Sequence, residues 1–354
     1  MRPLTATIDT AALTHNLGVV RARAPGARVL AVVKANAYGH GLERAARALA
    51  GADGLGLIEI DAAARLRDSG YKKRLVLLEG LFERSELAVA ERCDLAIVVH
   101  GEAQLAMLDE APAGARYDVL LKLNTGMNRL GFTPAQAADA LARLASHCAV
   151  REVSLMTHFA AADETRGVAS QFEAFNVFAA GRTLARTLAN SAAILRYGET
   201  HADWVRPGIM LYGCSPFAEA PAVQFGLKPA MTLASRLIAV QELKSGDSVG
   251  YGSAFVATGA MRIGVVACGY ADGYPRHAPT GTPLLVAGRR TRTVGRVAMD
   301  LLCCDLTAMP DAGVGAAVVL WGEGMPADEV AAAAGTVSYE LLCALAPRVP
   351  VIER

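Results

Sequence analysis

The 354-residue chain has no excess of either charge: 35 lysines and arginines stand against 34 aspartates and glutamates, a net charge of +1. That balance gives no electrostatic case for nucleic acid or an anionic membrane as a partner, and no block of like charges alters it. Long apolar runs are missing too. No uninterrupted stretch approaches the roughly 18 residues of a membrane span, and the opening segment MRPLTATIDTAALTHN holds no apolar core followed by a small-residue cleavage site. The expectation is a cytoplasmic protein. A cysteine framework is also absent, because the seven cysteines are odd in number and include no C-x-x-C pair, which argues against a zinc or disulfide scaffold. Cys93, Cys148, Cys268 and Cys343 lie within apolar stretches and read as reduced core residues. Cys303 and Cys304 are adjacent in a strand-like run, where they point to opposite faces and make poor partners.

The first two thirds of the chain alternate short apolar runs with helical patterns. The runs cover 28–33, 54–58, 75–78, 95–99, 119–123, 153–156, 186–189 and 203–205. Eight such runs separated by helix-length segments specify a parallel (β/α)8 barrel. Stretches such as GLERAARALA, DAAARLRDSG and TPAQAADALARLASHC carry apolar residues at three- and four-residue spacing, as barrel helices should. From about Leu227 the pattern changes to β-rich segments with G-D, D-G and A-G turns, and only ADEVAAAAG and SYELLCALA look helical. The chain therefore divides into a barrel over 1–226 and a mostly antiparallel β domain over 227–354, with LKP at the boundary.

One lysine stands out. Lys34 leaves the first apolar run and meets a turn of small and polar residues, so its ammonium sits over the mouth of the barrel, where a poorly solvated amine suits Schiff-base chemistry on a carbonyl. The helix that begins at GLERAARALA offers an N-terminus suited to an anion such as a phosphate. Other polar residues fall just beyond the later runs: Lys122 near the end of the fifth, His158 after the sixth, Asn190 and Ser191 after the seventh, Arg206 and Gly208 after the eighth. Barrel active sites form at that C-terminal mouth.

The segment VLAVVKANAYGHG (29–41) resembles the pyridoxal-phosphate lysine motif of bacterial alanine racemases. The resemblance continues in the family's order through KLNTGMNRLGF (122–132), THFAAAD (157–163), ANSAA (189–193), WVRPGIMLYG (204–213), GYGSAF (250–255), GYADGYPR (269–276), VGRVAMD (294–300) and SYELLCAL (338–345). It spans nearly the whole chain, and it leaves open an N-terminal strand added to the second domain. Each motif alone is weak; collinear, they are specific.

The resemblance implies a pyridoxal-phosphate-dependent isomerase that interconverts L- and D-alanine and works as a homodimer with shared active sites. Lys34 would hold the cofactor and exchange protons with the D-isomer, and Tyr251 would serve the L-isomer from the opposite face. A free tyrosine ionises at about pH 10, so the positive charge of His158 and Arg206 would favour its phenolate. Arg206 would face the pyridine nitrogen, where it can only donate and so keeps that nitrogen unprotonated. The phosphate would be held by Tyr38, Ser191, Gly208, Ile209 and Tyr339, with Asn190 beside them. Arg129 and the Met299 backbone would meet the substrate, Lys122 would orient Arg129, and Tyr270 would crowd the pocket toward a methyl-sized side chain. In some relatives the lysine at position 122 is carbamylated. Two departures from the family pattern are Ala298, where many relatives carry cysteine, and Thr187, before the Leu188-Ala189-Asn190 run, where a partner of the histidine–arginine pair is expected to differ.

Three other readings stand beside this one. A non-catalytic pyridoxal-phosphate-binding barrel would explain Lys34 but not the second domain. A decarboxylase of related fold would want a carboxylate where this chain has Arg206, and a racemase of wider substrate range is separated only by the size of the pocket. Supply of D-alanine to the cell wall and its catabolism are both open, because a racemase runs in either direction.

Overall fold

A computed structural model describes residues 2–354 and divides them into two compact units. One comprises residues 16–37 and 41–211; the other comprises residues 2–15, 38–40 and 212–354.

After β1 (Thr5–Ile8), which belongs to the second unit, eight strands close a parallel barrel in sequence order. They are β2 (Arg28–Val32), β3 (Gly54–Leu57), β4 (Arg74–Leu77), β5 (Leu95–Val99), β6 (Tyr117–Lys122), β7 (Val150–Met156), β8 (Arg186–Thr187) and β9 (Trp204–Val205). Closure is made by β9 pairing with β2 through Arg28 with Trp204 and Val29 with Val205. Each expected apolar run carries one of these strands, since a strand covered on both faces must be apolar throughout. Side chains from five of the strands, Leu30 of β2, Val76 of β4, Ala96 and Val98 of β5, Leu120 of β6 and Met156 of β7, pack into one buried cluster.

Helices follow the strands where the periodicity placed them. Pro134–Ser146 begins with a capping box, Thr133 accepting from the Gln136 N–H while Gln136 reaches back to the Thr133 N–H. At the N-terminal end of the barrel the Arg28 guanidinium lies 4.2 Å from the Trp204 ring centre, and Asp118 bridges Arg74 and Arg151 at 2.9 and 2.6 Å. Charge closes that end, and the C-terminal end is left for chemistry.

In the second unit the strands are β10 (Met231–Leu243), β11 (Ser248–Val249), β12 (Phe255–Val256), β13 (Met261–Val266), β14 (Pro283–Val286), β15 (Arg289–Val294), β16 (Leu302–Asp305), β17 (Ala317–Trp321) and β18 (Val351–Glu353). An eight-stranded sheet runs β13-β16-β15-β14-β17-β10-β1-β18, and β10 also pairs with β13, which closes six of the strands into a ring. The 13 residues of β10 serve both neighbours because its register shifts between Leu237 and Ala239. The helices Ala327–Ala334 and Ser338–Cys343 fall where expected.

The compact units are drawn differently from a division at 226 and 227. Strand β1 lies antiparallel to β10 and parallel to β18, so the start of the chain joins its end, and residues 212–226 also cluster with the second unit. The reading of the cysteines needs a correction. Cys93, Cys214, Cys268 and Cys304 are buried, but Cys148 and Cys343 are exposed, one in the turn before β7 and the other closing a helix. Among the described residues no helix is long and apolar enough to cross a membrane.

Candidate functional site

Lys34 lies two residues past β2 and is half-buried, as the exit of a barrel strand requires. The chain then takes an unusual course. Ala35, Asn36, Ala37 and Tyr38 all have φ between 52° and 54°, a turn of left-handed helix built without glycine. Such a conformation costs roughly 1–2 kcal/mol per L-residue, so the surroundings must hold it. Part of that support is local: the Ala37 N–H donates to the Val33 carbonyl, the Gly41 N–H to the Asn36 carbonyl, and the Leu42 N–H to Asn36 Oδ1 at 2.9 Å. The last bond occupies the first donor of the helix Leu42–Ala48, the helix whose start had been expected to favour an anion.

A better-furnished donor set lies at the ends of β8 and β9. Asn190 caps the helix Ser191–Arg196 by accepting from the Ala193 N–H at 3.1 Å. Ser191 Oγ receives the N–H groups of Gly208 at 2.9 Å and Met210 at 3.4 Å, which brings Ser191, Gly208 and Ile209 together.

Arg206 follows β9 directly and is buried. Its guanidinium donates to Thr187 Oγ1 at 2.6 Å, the Thr157 carbonyl at 2.5 Å and the Leu188 carbonyl at 3.0 Å, and lies 3.5 Å from His158 Nδ1. Among the described residues none of these partners is a carboxylate. Burial presses the guanidinium down to about 9, which leaves it cationic at neutral pH. Thr187 is thus the arginine's hydroxyl partner, and Thr187 itself donates to the Trp204 carbonyl.

His158 differs from its expected role. Burial first, and then the charges of Arg206, Lys122, Arg129 and Lys34, hold its pKa well below the usual imidazole value, so the ring is neutral. Because a guanidinium can only donate, Nδ1 is the acceptor and the ring proton sits on Nε2. Of the histidine–arginine pair, only Arg206 is charged. Lys122, the last residue of β6, is 6% exposed, and burial, followed by Arg206 and Arg129, lowers its ammonium to about 8, with Glu79 opposing. Arg129 stands seven residues on, in an exposed turn. Lys34, Lys122, Arg129, His158 and Arg206 therefore share one electrostatic neighbourhood at the barrel mouth. A mouth so rich in cations suits an anionic ligand.

The remaining candidates lie in the second unit. Tyr38 stacks on Tyr212 with ring centres 4.5 Å apart, Tyr339 approaches Tyr38 at 6.0 Å, and His40 packs on the far side of Tyr212 at 4.6 Å. Burial pushes the Tyr38 phenol above its ordinary range, so it stays a neutral hydrogen-bond donor. Gly39 in this segment has φ +79° and a Cβ there would lie 2.1 Å from the Leu342 carbonyl oxygen, so only glycine fits. Tyr270 and Met299 come together because the Tyr270 and Ala271 N–H groups donate to the carbonyls of Ala298 and Met299, both at 3.0 Å. That pairing is locked by Asp272, fully buried, which receives both nitrogens of Arg2, Arg348 Nε and the Gly269 N–H. Tyr251 sits in a short turn, Tyr251–Ser253, with 70% of its surface exposed. The sequence reading assigned no role to Thr125 and Thr157, although they lie within the KLNTGMNRLGF and THFAAAD segments, and it missed Gln171, which lies in no motif; the three tie the mouth loops together.

A closed parallel barrel whose mouth gathers two amines, two arginines and a neutral histidine, with a serine and a helix start also at its strand ends, defines an enzyme site for a small anionic ligand. Comparison with known proteins narrows the class. The family model "Alanine racemase, N-terminal domain" matches residues 8–216, and "Alanine racemase, C-terminal domain" matches residues 230–353. An alanine racemase of Nitrosospira multiformis is 60% identical over 350 residues, 98% of each chain, and one of Janthinobacterium sp. is 56% identical over 99% of each. Among solved structures, the biosynthetic alanine racemase of Pseudomonas aeruginosa superposes with a TM-score of 0.98 at 48% identity, covering 100% of both chains. The alanine racemase of Acinetobacter baumannii gives 0.95 at 36% identity, again over 100% of both. The chain belongs to the alanine racemase family.

Proposed function

We propose that this chain interconverts L- and D-alanine with pyridoxal phosphate as its cofactor and two bases, Lys34 and Tyr251, acting on opposite faces of the substrate Cα. Family membership makes it an isomerase of the alanine racemase type. The observation that carries the reading is the mouth of the barrel, where Lys34, Lys122, Arg129 and Arg206 converge and, among the described residues, none is matched by an ion-paired carboxylate. Such a site suits a ligand with a phosphate, a phenolic oxygen and a substrate carboxylate, and pyridoxal phosphate with alanine supplies all three.

When bound, pyridoxal phosphate spreads the negative charge that develops as the Cα proton departs. The protein's own groups do the rest. Ser191, Gly208, Ile209 and the hydroxyls of Tyr38 and Tyr339 hold the phosphate, with Asn190 shaping the helix start. Arg206 meets the ring nitrogen as a donor that cannot accept, and so keeps that nitrogen unprotonated. His158, neutral and with Nδ1 toward Arg206, aligns the guanidinium instead of adding charge. Lys34 holds or releases the Cα proton on one face. Tyr251 does so on the other, and Arg129 anchors the carboxylate beside Lys122 with the Met299 backbone. Tyr270 limits the space for the substrate side chain.

The active species is a homodimer with shared sites. Tyr251, Val256 and Met299 are 70%, 50% and 53% exposed in the second unit, large apolar surfaces that a second copy would cover. A cytoplasmic location follows from the same reading. The test is direct: the purified chain, loaded with pyridoxal phosphate, is assayed for D-alanine formed from L-alanine. Lys34→Ala should abolish turnover and the visible absorbance of the bound cofactor. A variant that racemises normally would overturn the assignment of Lys34, and equal turnover of bulky amino acids would favour the broader racemase.

A further inference from the structure

One buried glutamine ties the loop that carries Arg129 to the segment that carries His158. Gln171 lies in the first turn of the helix Ala169–Ala179 and is 6% exposed. Its Oε1 accepts from the Ala160 N–H at 2.8 Å, and its Nε2 donates to the His158 carbonyl at 3.1 Å and to Thr125 Oγ1 at 3.2 Å. The Ala160 amide can only donate and the His158 carbonyl can only accept, so the carboxamide has one possible orientation.

The proton directions beyond it follow from the same accounting. Thr157 Oγ1 lies 3.0 Å from the Leu123 carbonyl, and its single hydroxyl proton is used there. The 2.8 Å contact between Thr125 Oγ1 and Thr157 Oγ1 must then be donated by Thr125, which in turn accepts from Gln171. The relay runs from Gln171 through Thr125 and Thr157 to Leu123, while the Thr157 carbonyl receives Arg206 Nη2. Thr125 also opens the turn that ends on Arg129. Within that turn the Asn124 carboxamide gathers the N–H groups of Gly126 and Asn128 at 3.1 and 3.0 Å.

We propose that Gln171 is a positioning residue: by holding Thr125 and His158 on one carboxamide it fixes where Arg129 meets the substrate carboxylate relative to the Arg206–His158 pair. This rests on the reading of Arg129 as the carboxylate arm. The molecule contains its own matched comparison in Gln104, which is 7% exposed. Gln104 Oε1 accepts from the His100 N–H at 2.8 Å, and its Nε2 donates to the carbonyls of Glu79 and Leu81 at 2.9 and 3.1 Å. It makes the same number of bonds at the same depth, between loops that carry none of the substrate groups.

The experiment compares Gln171→Met with Gln104→Met as cofactor-loaded enzymes. Both should lose thermal stability to a similar degree. Gln171→Met should raise the KM for L-alanine and the inhibition constant of propionate, a carboxylate without the amine, by about tenfold each, with kcat changed by less than about threefold. It should also speed hydrogen exchange at the Gly126 and Asn128 amides. Gln104→Met should do neither. If the two variants match in KM, propionate inhibition and exchange, Gln171 is only a structural residue and the proposal fails. Arg129→Lys is run beside them. Should it leave propionate inhibition unchanged, the reading of Arg129 fails, and exchange at Gly126 and Asn128 alone then decides whether Gln171 tethers the turn. If Gln171→Met does not fold, the isosteric Gln171→Glu, which sets an acceptor against the His158 carbonyl, is read by the same measurements.

Discussion

Lys122 should be worth more to the fold when it is gone. Burial and the neighbouring Arg206 and Arg129 bring its ammonium from 10.5 to about 8. In the unfolded chain the group keeps its proton to about pH 10.4. Below pH 8 both states are protonated and the folded state bears the full cost of a crowded cation, which for this displacement is roughly 3 kcal/mol. Between 8 and 10.4 the unfolded chain holds more protons, so stability rises with pH; above that window the cost is gone. Since the mouth opens to water, about half of that figure is expected. Lys122→Met should therefore stabilise the cofactor-free protein by about 1–2 kcal/mol at pH 7, a rise of a few degrees in the unfolding midpoint, and the gain should vanish above about pH 10.4. The assay is the difference in midpoint between variant and wild type from pH 6 to 11 in bicarbonate-free buffer. Bicarbonate must be absent because a neutral amine adds carbon dioxide to become a carbamate, which turns a cation among cations into an anion. Added bicarbonate above pH 8 should then stabilise the wild type and leave the variant unmoved. A variant less stable at pH 7, or a difference that does not shrink as pH rises, would refute the reasoning.

Two further substitutions test the supports of the site. Burial alone would raise the carboxyl of Asp272, but hydrogen bonds from Arg2, Arg348 and the Gly269 N–H hold it below the usual carboxylate value. Its contribution is therefore present above the unfolded value of about 3.9 and lost as pH falls through the folded one. Asp272→Asn should cost about 2–4 kcal/mol at neutral pH, less as the pH drops below 4, and a pH-independent loss in urea unfolding would contradict that origin. Arg206→Met should leave the Thr157 and Leu188 carbonyls without their donor, at a cost of about 2–4 kcal/mol. It should also allow His158 to titrate at higher pH, read by its imidazole proton resonances; an unmoved titration would remove Arg206 from the causes of its neutrality.

The barrel was legible because its rules are local. A strand covered on both faces must be apolar, helices between strands must show a three- to four-residue period, and functional groups must follow the strand ends; Lys34, Lys122, His158, Ser191 and Arg206 obey. What escaped was non-local or conformational. The four residues of β1 give no hint that their partners are 223 to 345 positions away. Nothing in the run Ala35–Tyr38, which lacks glycine, announces a left-handed turn, since tertiary support outweighs local preference there. Gln171 lies in no motif, and its burial appears only when the loops it joins are in place. The charge expected on His158 was lost for a related reason: burial and four neighbouring cations are properties of the assembled mouth.

The most direct test of a two-base site shared between subunits is complementation. Lys34→Ala and Tyr251→Phe, each inactive alone, are mixed under conditions that exchange subunits. Random pairing makes about half of the dimers mixed, and each mixed dimer carries one site with both bases intact, so roughly a quarter of wild-type sites should return. Recovery of no activity, or a fully active monomer at assay dilution, would place both bases in one chain and contradict the account.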